Sequence, residues 1–345
     1  MNVRLKDIAE LANVDKSTVS HTLKADALSK RLKPETRERI LRTAKELGYQ
    51  RNINAVSIRT GQVNTIAVIG EFSSNKFYQY SPNLGGIIRE CSNRNYGVKV
   101  FADDDLKRTF DEISGNRIKQ IVSMSVNSSK RTETGYYARR LGLELVYTYE
   151  HPCNGFACIN TDNFAGAEMV VSHLIELGHS RIALACAPHE YHYQVERHDG
   201  YLSGLKKAGL TPDPKLIFCS DDIEKNIGRL LSYPQKQRPT ALFAIADSLA
   251  LIAQRVAIKM GFTLPEDFST FGFGNKEFCT YAISPLASIE ESVSERCKLA
   301  VKMLLDKKSD IIPVKPGYFL VPPVLILRDS VTKPHNGTKN IKKGI

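Results

Sequence analysis

No run of about 18 apolar residues occurs in the 345-residue sequence, so nothing in it is suited to cross a bilayer as a helix. The N-terminus is charged from Arg4 onward and lacks the apolar stretch of a signal peptide, which predicts a cytoplasmic protein without membrane contact. Cysteine is sparse. The seven residues are an odd number with no C-x-x-C pair, and Cys158, Cys186 and Cys219 lie in apolar, strand-like runs where a thiol behaves as a small hydrophobe. Neither disulfides nor zinc are expected. The two histidines of "HEYH" (189–192) fall in an expected loop without further ligands nearby in sequence. Catalytic signatures are also missing. No G-x-S-x-G motif occurs, and the glycines of "GFGN" and "LGG" lack the rest of a phosphate-binding fingerprint. The expectation is therefore a protein that is not an enzyme and carries no metal and no cofactor.

A hydrophobic content of 42% is enough for sizeable cores in two or three domains. The net charge of +11 is unevenly spread. Residues 1–60 carry a balance of +6 and the tail from 331 carries +4, which leaves +1 for the 270 residues between. Positive charge gathered on a small N-terminal module is the electrostatic footprint of a nucleic-acid binder.

That module reads as three helices. "LKDIAEL" places Leu5, Ile8, Ala9 and Ala12 on one side of the first, and "ANV" breaks it. Asp15 then starts a second as its N-cap, burying Val14, Val19 and Leu23 while Lys16, Ser17, Ser20 and His21 share another face. Two short helices joined by so tight a turn fit a helix-turn-helix. After a polar loop, "ADALSKR", the third begins at Pro34, buries Ile40, Leu41, Ala44 and Leu47, and ends at Gly48. "QRNINAVSIRTGQVN" is too polar to fold alone and reads as a linker.

From Thr65 the pattern changes to apolar runs alternating with longer amphipathic segments. "TIAVIG", "VKVFAD", "IKQIVSMS" and "LELVYTYE" form one series; "FACINTD", "RIALACA", "LIFC", "TALFAIA" and "FSTFGFG" form a second, with helices expected at Pro82–Asn95, Asn163–Leu177 and through "LALIAQRVAIKMG". Continuous apolar strands with intervening helices predict two lobes, each a doubly wound parallel sheet, with a ligand cleft at the carboxyl ends of the strands.

"LKDIAELANVDKSTVSHTLK", "ETRERILRTAKELGY", "TDNFAGAEMVVSHLIELGHSRIALACAP", "RHDGYLSGL", "PTALFAIADSLAL" and "SPLASIEES", in this order over nearly the whole chain, resemble the LacI/GalR family of bacterial transcription repressors. The resemblance implies a small all-α helix-turn-helix headpiece at 1–50 and a hinge helix or linker at 51–61. A periplasmic-binding-protein-like core follows at 62–330, its N-lobe about 62–160 and 290–319 and its C-lobe about 161–289 and 320–330, before a basic, disordered tail at 331–345. It further implies a homodimer on a pseudo-palindromic double-stranded DNA operator, controlled by a small effector, a sugar or sugar derivative. A ligand-dependent activator or a co-repressor-dependent regulator remains the alternative on the same fold, and a solute-binding protein is a third reading that the basic headpiece disfavours.

Carried over residue by residue, the resemblance assigns base reading to Lys16, Ser17 and His21 and phosphate contact to Thr18 and Ser20, with Lys6, Asp15 and Lys24 beside them. In the linker Asn52, Ala55, Ile58 and Arg59 are implied, Ile58 as a minor-groove wedge or as a residue packing on the core. Departures are plain: His21 replaces a common Arg, Lys24 a common Asn, Arg51 the usual Pro, and the "ADALSKR" loop is about three residues longer. For the effector the resemblance implies Arg197, suited to bidentate recognition, and Asp162 and Asp247; a plain helix N-cap is the alternative for both, and for Asp247 the preferred one. Phe72, Phe77, Tyr78, His189, Tyr191, Phe273 and Asn275 complete the candidate set. Ala246 and Gly274 stand where relatives carry Asn and Asp, so the galactoside pocket is not expected here.

Overall fold

A computed structural model describes residues 3–24, 28–50, 63–72, 77–186, 188, 191–220 and 222–334, with only the backbone for 77–79. Asn52, Ala55, Ile58, Arg59, His189, the side chains of Phe77 and Tyr78, and the tail from 335 lie outside the described residues. Among the described residues no helix is long and apolar enough to cross a membrane. The chain divides into two compact units, Met1–Gln62 and Val63–Ile345.

The first unit is built on α1 (Leu5–Leu11), α2 (Lys16–Lys24) and α3 (Pro34–Glu46). Ile8, Ala12, Val19 and Ile40 have no exposed surface, and Val14, Leu23 and Leu47 pack around them. So small a core is marginal, and it is reinforced by polar ties: Arg39 Nε donates to the Ala12 carbonyl at the end of α1. Two expectations are corrected. Leu41 is 46% exposed, because Ile40, Thr43 and Ala44 already fill the buried stripe of α3 at helical spacing. The "ADALSKR" loop contains a 3₁₀ turn, Ser29–Arg31, with Ser29 buried.

In the second unit, β1 (Thr65–Gly70), β2 (Gly97–Ala102), β3 (Gln120–Ser123), β4 (Glu144–Tyr147), β5 (Ala157–Thr161) and β11 (Tyr318–Val321) form a sheet in the order β11-β5-β4-β3-β1-β2, parallel throughout. Strand alternation gives it two apolar faces. Ile66 and Val68 pack against α4 (Phe77–Asn93) and α11 (Val293–Asp306), while Ala67 and Ile69 face α5 (Leu106–Gly115) and α6 (Ser128–Arg140). The expected helix at Pro82–Asn95 thus begins earlier, with Pro82 inside it.

The second sheet follows the same plan with β6 (Ile182–Cys186), β7 (Ile217–Cys219), β8 (Ala241–Ala244), β9 (Ser269–Phe273), β10 (Ala287–Glu290) and β12 (Val324–Ile326), in the order β12-β10-β9-β8-β6-β7. Only β12 runs antiparallel. Ala183 and Ala185 face α9 (Ile223–Leu231) and α10 (Asp247–Lys259); Ile182 and Leu184 face α7 (Asn163–Glu176) and α8 (His192–Lys207). Within that face α7 and α8 approach closely: a Cβ on Gly200 would lie 2.3 Å from the Phe164 carbonyl oxygen.

The expectation of no disulfide is overturned. Cys186 and Cys219 are bonded, their Cα atoms 4.4 Å apart, because they are direct register partners on the neighbouring strands β6 and β7. Cys91, Cys153, Cys158, Cys279 and Cys297 are free thiols.

Candidate functional site

In the headpiece, packing decides which side of α2 is free. Val19 and Thr22 point into the core, and the Thr22 hydroxyl donates to the Thr18 carbonyl, 2.8 Å away. Lys16, Ser17 and Lys24 are exposed, with Thr18, Ser20 and His21 half-buried beside them. Asp15 precedes α2 and is exposed; its carbonyl accepts the Val19 N–H at 3.1 Å. Lys6, exposed on α1, lies 3.5 Å from Glu10. Ammonium and hydroxyl groups held on a short helix by a rigid core behind it can reach phosphates and base edges.

The second site lies where the chain crosses between the two sheets, at 161–163, 290–293 and 321–324. A cavity of about 140 Å³ opens there, walled by Tyr80, Tyr149, Tyr191, Tyr193, Phe273 and Phe278, with Asn160, Asn163, Arg197, Asp247, Ser248, Lys276 and Glu291 as its polar lining. Tyr149, Asn160, Asp247 and Phe273 stand at or just beyond the carboxyl ends of β4, β5, β8 and β9, where ligands of parallel sheets bind.

Arg197, on α8 and buried, is held from every side. Its Nε and Nη2 donate to Asn163 Oδ1 at 2.9 and 2.7 Å, Nη1 donates to the Ile245 carbonyl at 2.8 Å, and Nη2 donates to Glu291 Oε1 at 2.7 Å. The guanidinium lies 3.5 Å from the centre of the Phe273 ring, a cation–π contact. Glu291 is also 3.6 Å from Lys276 Nζ. Burial works to raise the Glu291 carboxyl, but Lys276, Arg197 and Arg296 around it outweigh burial and hold it at about 2. It is ionised at neutral pH.

Asp247 is not the N-cap of α10; Ala246 is. Instead the buried Asp247 carboxylate accepts the Lys276 N–H at 2.9 Å and the Ser288 hydroxyl at 2.5 Å, fixing the loop after β9 where Gly274 adopts φ 125°. Burial pushes its carboxyl up, while those same donors pull it down. Asp162 does cap α7, accepting the Ala165 N–H, and is not in the cavity wall. Asn275 donates to Glu290 and accepts from Arg328, and Phe72 packs beside Gly70; neither is in the wall. Of the described candidates, then, the structure gathers Tyr191, Arg197, Asp247 and Phe273 around one space.

The sequence reading missed Tyr80, Tyr149, Asn160, Asn163, Tyr193 and Glu291. A usable signal existed for Tyr149 and Asn160, which sit at the carboxyl end of an apolar strand. Behind the wall a polar chain extends into the first lobe. Asn83 donates to the Tyr149 hydroxyl at 2.6 Å and accepts from Arg296 Nη2 at 2.9 Å, and Arg296 Nη1 donates to Thr161 Oγ1 at 2.8 Å. Asn83 on α4 and Arg296 on α11 thus join the cavity wall at Tyr149 to those two helices by hydrogen bonds.

Comparison with known proteins bears on the two parts of the chain as domains. The family model for bacterial regulatory proteins, lacI family, matches residues 4–52, and the periplasmic binding protein-like domain matches residues 171–331. The ribose operon repressor of Haemophilus influenzae is 26% identical over 337 residues, covering 95% of this chain and 98% of its own. The HTH-type transcriptional repressor CytR of Escherichia coli K12 is 28% identical over 323 residues, covering 88% and 89%. The lac repressor dimer bound to operator and the anti-inducer ONPF superposes with a TM-score of 0.74 at 20% identity, covering 96% of this chain and all of that one.

Proposed function

The chain belongs to the LacI family of bacterial regulatory proteins, and from that premise we propose that it is a cytoplasmic, homodimeric repressor of carbohydrate genes, controlled by a neutral sugar. Binding of operator DNA falls to the exposed face of α2. Lys16, Ser17 and His21 read base edges, while Lys6, Thr18, Ser20 and Lys24 meet phosphates. Two such faces in a two-fold dimer call for a pseudo-palindromic site, and the phosphate contacts make affinity fall steeply with salt.

The observation that carries the effector reading is the ion cluster inside the cavity. Arg197 and Lys276 both pair with Glu291, and Asp247 adds a second carboxylate to the same lining, so the space offers many donors and acceptors and little net charge to attract an anion. Tyrosine and phenylalanine faces suit the apolar faces of a pyranose or furanose. The cavity, about 140 Å³, has room for a small molecule. Because the wall draws on both lobes, the ligand favours one lobe arrangement, and its differential affinity for the two arrangements is what shifts operator affinity.

Footprinting of the purified protein on its own upstream DNA tests this. The expected result is a protected palindrome at low salt that weakens when a sugar is added. Absence of any protected palindrome would overturn the repressor reading, and protection indifferent to every sugar would overturn the effector.

A further inference from the structure

The lobes also meet beside the cavity, through side chains that are not part of its wall. His151, in the loop after β4, belongs to the first lobe, and Glu196, on α8, to the second. His151 Nε2 donates to Glu196 Oε1 at 3.0 Å, and the Tyr318 hydroxyl, on β11 of the first lobe, donates to the same oxygen at 3.2 Å. Asn163 Nδ2 donates to the other oxygen at 3.0 Å. The His151 ring stacks on that of His192, one turn before Glu196 on α8, with the ring centres 4.2 Å apart. The His192 N–H in turn donates to Glu150 Oε2 at 2.9 Å, so hydrogen bonds pass between the lobes in both directions around one ring stack.

The charged and titratable groups set around His151 are Arg131 from α6, whose Nη2 donates to the His151 carbonyl, Glu150 beside it in the loop, His192 and Glu196 from α8, and Tyr318 from β11. With both imidazoles neutral, the Glu150 and Glu196 carboxylates face a single guanidinium, which leaves one negative charge in excess. A proton on His151 balances it and makes the bond to Glu196 charge-assisted. A second proton, on His192, would set two like charges face to face, so the junction takes one. Parting the lobes carries α8 and Glu196 away from His151 and forfeits that gain. We propose that His151 and Glu196 form a proton-operated latch between the lobes, and that through it pH sets operator affinity. By linkage, His151 binds its proton more tightly with the lobes latched than parted. Latching is therefore strongest at the acid end of the range in which histidine changes charge, roughly pH 5 to 8, and weakens as the pH rises through it. Burial pushes the Glu150 carboxyl up, which makes Glu150 the competing titrating group. The operator half of this inference rests on the repressor reading; the latch does not.

The His192 amide reports the latch directly, since it is itself a donor between the lobes. Hydrogen–deuterium exchange of the full-length protein, read on peptides spanning His192 and corrected for the intrinsic pH dependence of exchange, is compared at about pH 5.5 and about pH 7.5. Protection in the wild type should be about threefold higher at the lower pH. His151→Gln keeps a donor for Glu196 but cannot take the charge, so its protection should be the same at both, and Glu196→Gln should flatten the difference as well. Melting temperatures confirm that each variant is folded. Operator affinity, measured at the same two pH values, should shift about threefold more in the wild type than in His151→Gln; His21 on the operator face is common to both proteins and cancels. If His151→Gln keeps the wild-type pH dependence of protection, the dependence belongs to Glu150 and the latch is overturned. Equal operator shifts in the two proteins would overturn its control of DNA binding. If no operator is bound at either pH, the repressor reading fails and the operator half with it, while exchange still decides the latch.

Discussion

The headpiece face and the interlobe cavity are built on opposite terms. On α2 the side chains assigned to DNA are exposed or half-buried, on a core of a few small apolar residues. In the cavity the central polar side chains are held by several partners: Arg197 engages Asn163, Ile245 and Glu291, and Asp247 engages Lys276 and Ser288. The difference teaches that recognition and stability are separable in the first region and fused in the second. A loosely tied surface can change its target by single substitutions; a cavity so interlocked changes shape as a unit, which is what a switch between two arrangements requires.

Arg197→Ala should break that comparison most severely. It leaves Glu291 and Asn163 without their buried partner, a loss of about 3–5 kcal/mol for a disrupted buried ion pair, so urea unfolding should shift strongly and sugar binding should vanish. Acid comes next. The Glu291 carboxyl, held at about 2 against an ordinary value of 4.5, binds its proton more weakly folded than unfolded. Its stabilising effect is complete above about pH 4.5 and is lost as the pH falls toward 2, roughly 3 kcal/mol in all. Unfolding measured across that window should show a slope that Glu291→Gln flattens.

Gly200→Ala probes the same region through packing alone. The added methyl would lie 2.3 Å from the Phe164 carbonyl oxygen, forcing α8 outward at a cost of about 1–3 kcal/mol. Since α8 carries Arg197, sugar affinity should fall together with the melting temperature. Lys16→Ala is the smallest for the fold and sharpens the contrast. Operator discrimination should relax at one base position by about 1–3 kcal/mol, with stability changed by no more than about 0.5 kcal/mol. A matching loss of stability would mean that α2 is not the free surface described.

Legibility in the sequence followed the range of the forces involved. β1 and β6 were readable because a strand buried on both faces is apolar throughout, and α2 because its apolar positions recur at helical spacing. Leu41 was misjudged since three neighbours on α3 fill the stripe first. The short strands β11 and β12, flanking Pro322 and Pro323, pair with β5 and β10 more than 30 residues away, and no local pattern marks that. The same holds for the Cys186–Cys219 bond, a product of register between strands. Glu291 and Tyr80 entered the cavity from distant segments, whereas Arg197 was reachable only through family resemblance.

The most direct test of the account is the affinity of wild-type protein and Arg197→Ala for the upstream palindrome, each with and without saturating sugar at one fixed salt concentration. The account predicts at least a tenfold sugar-dependent change for the wild type and none for Arg197→Ala, on an unaltered footprint. A variant that kept the full sugar response would contradict it.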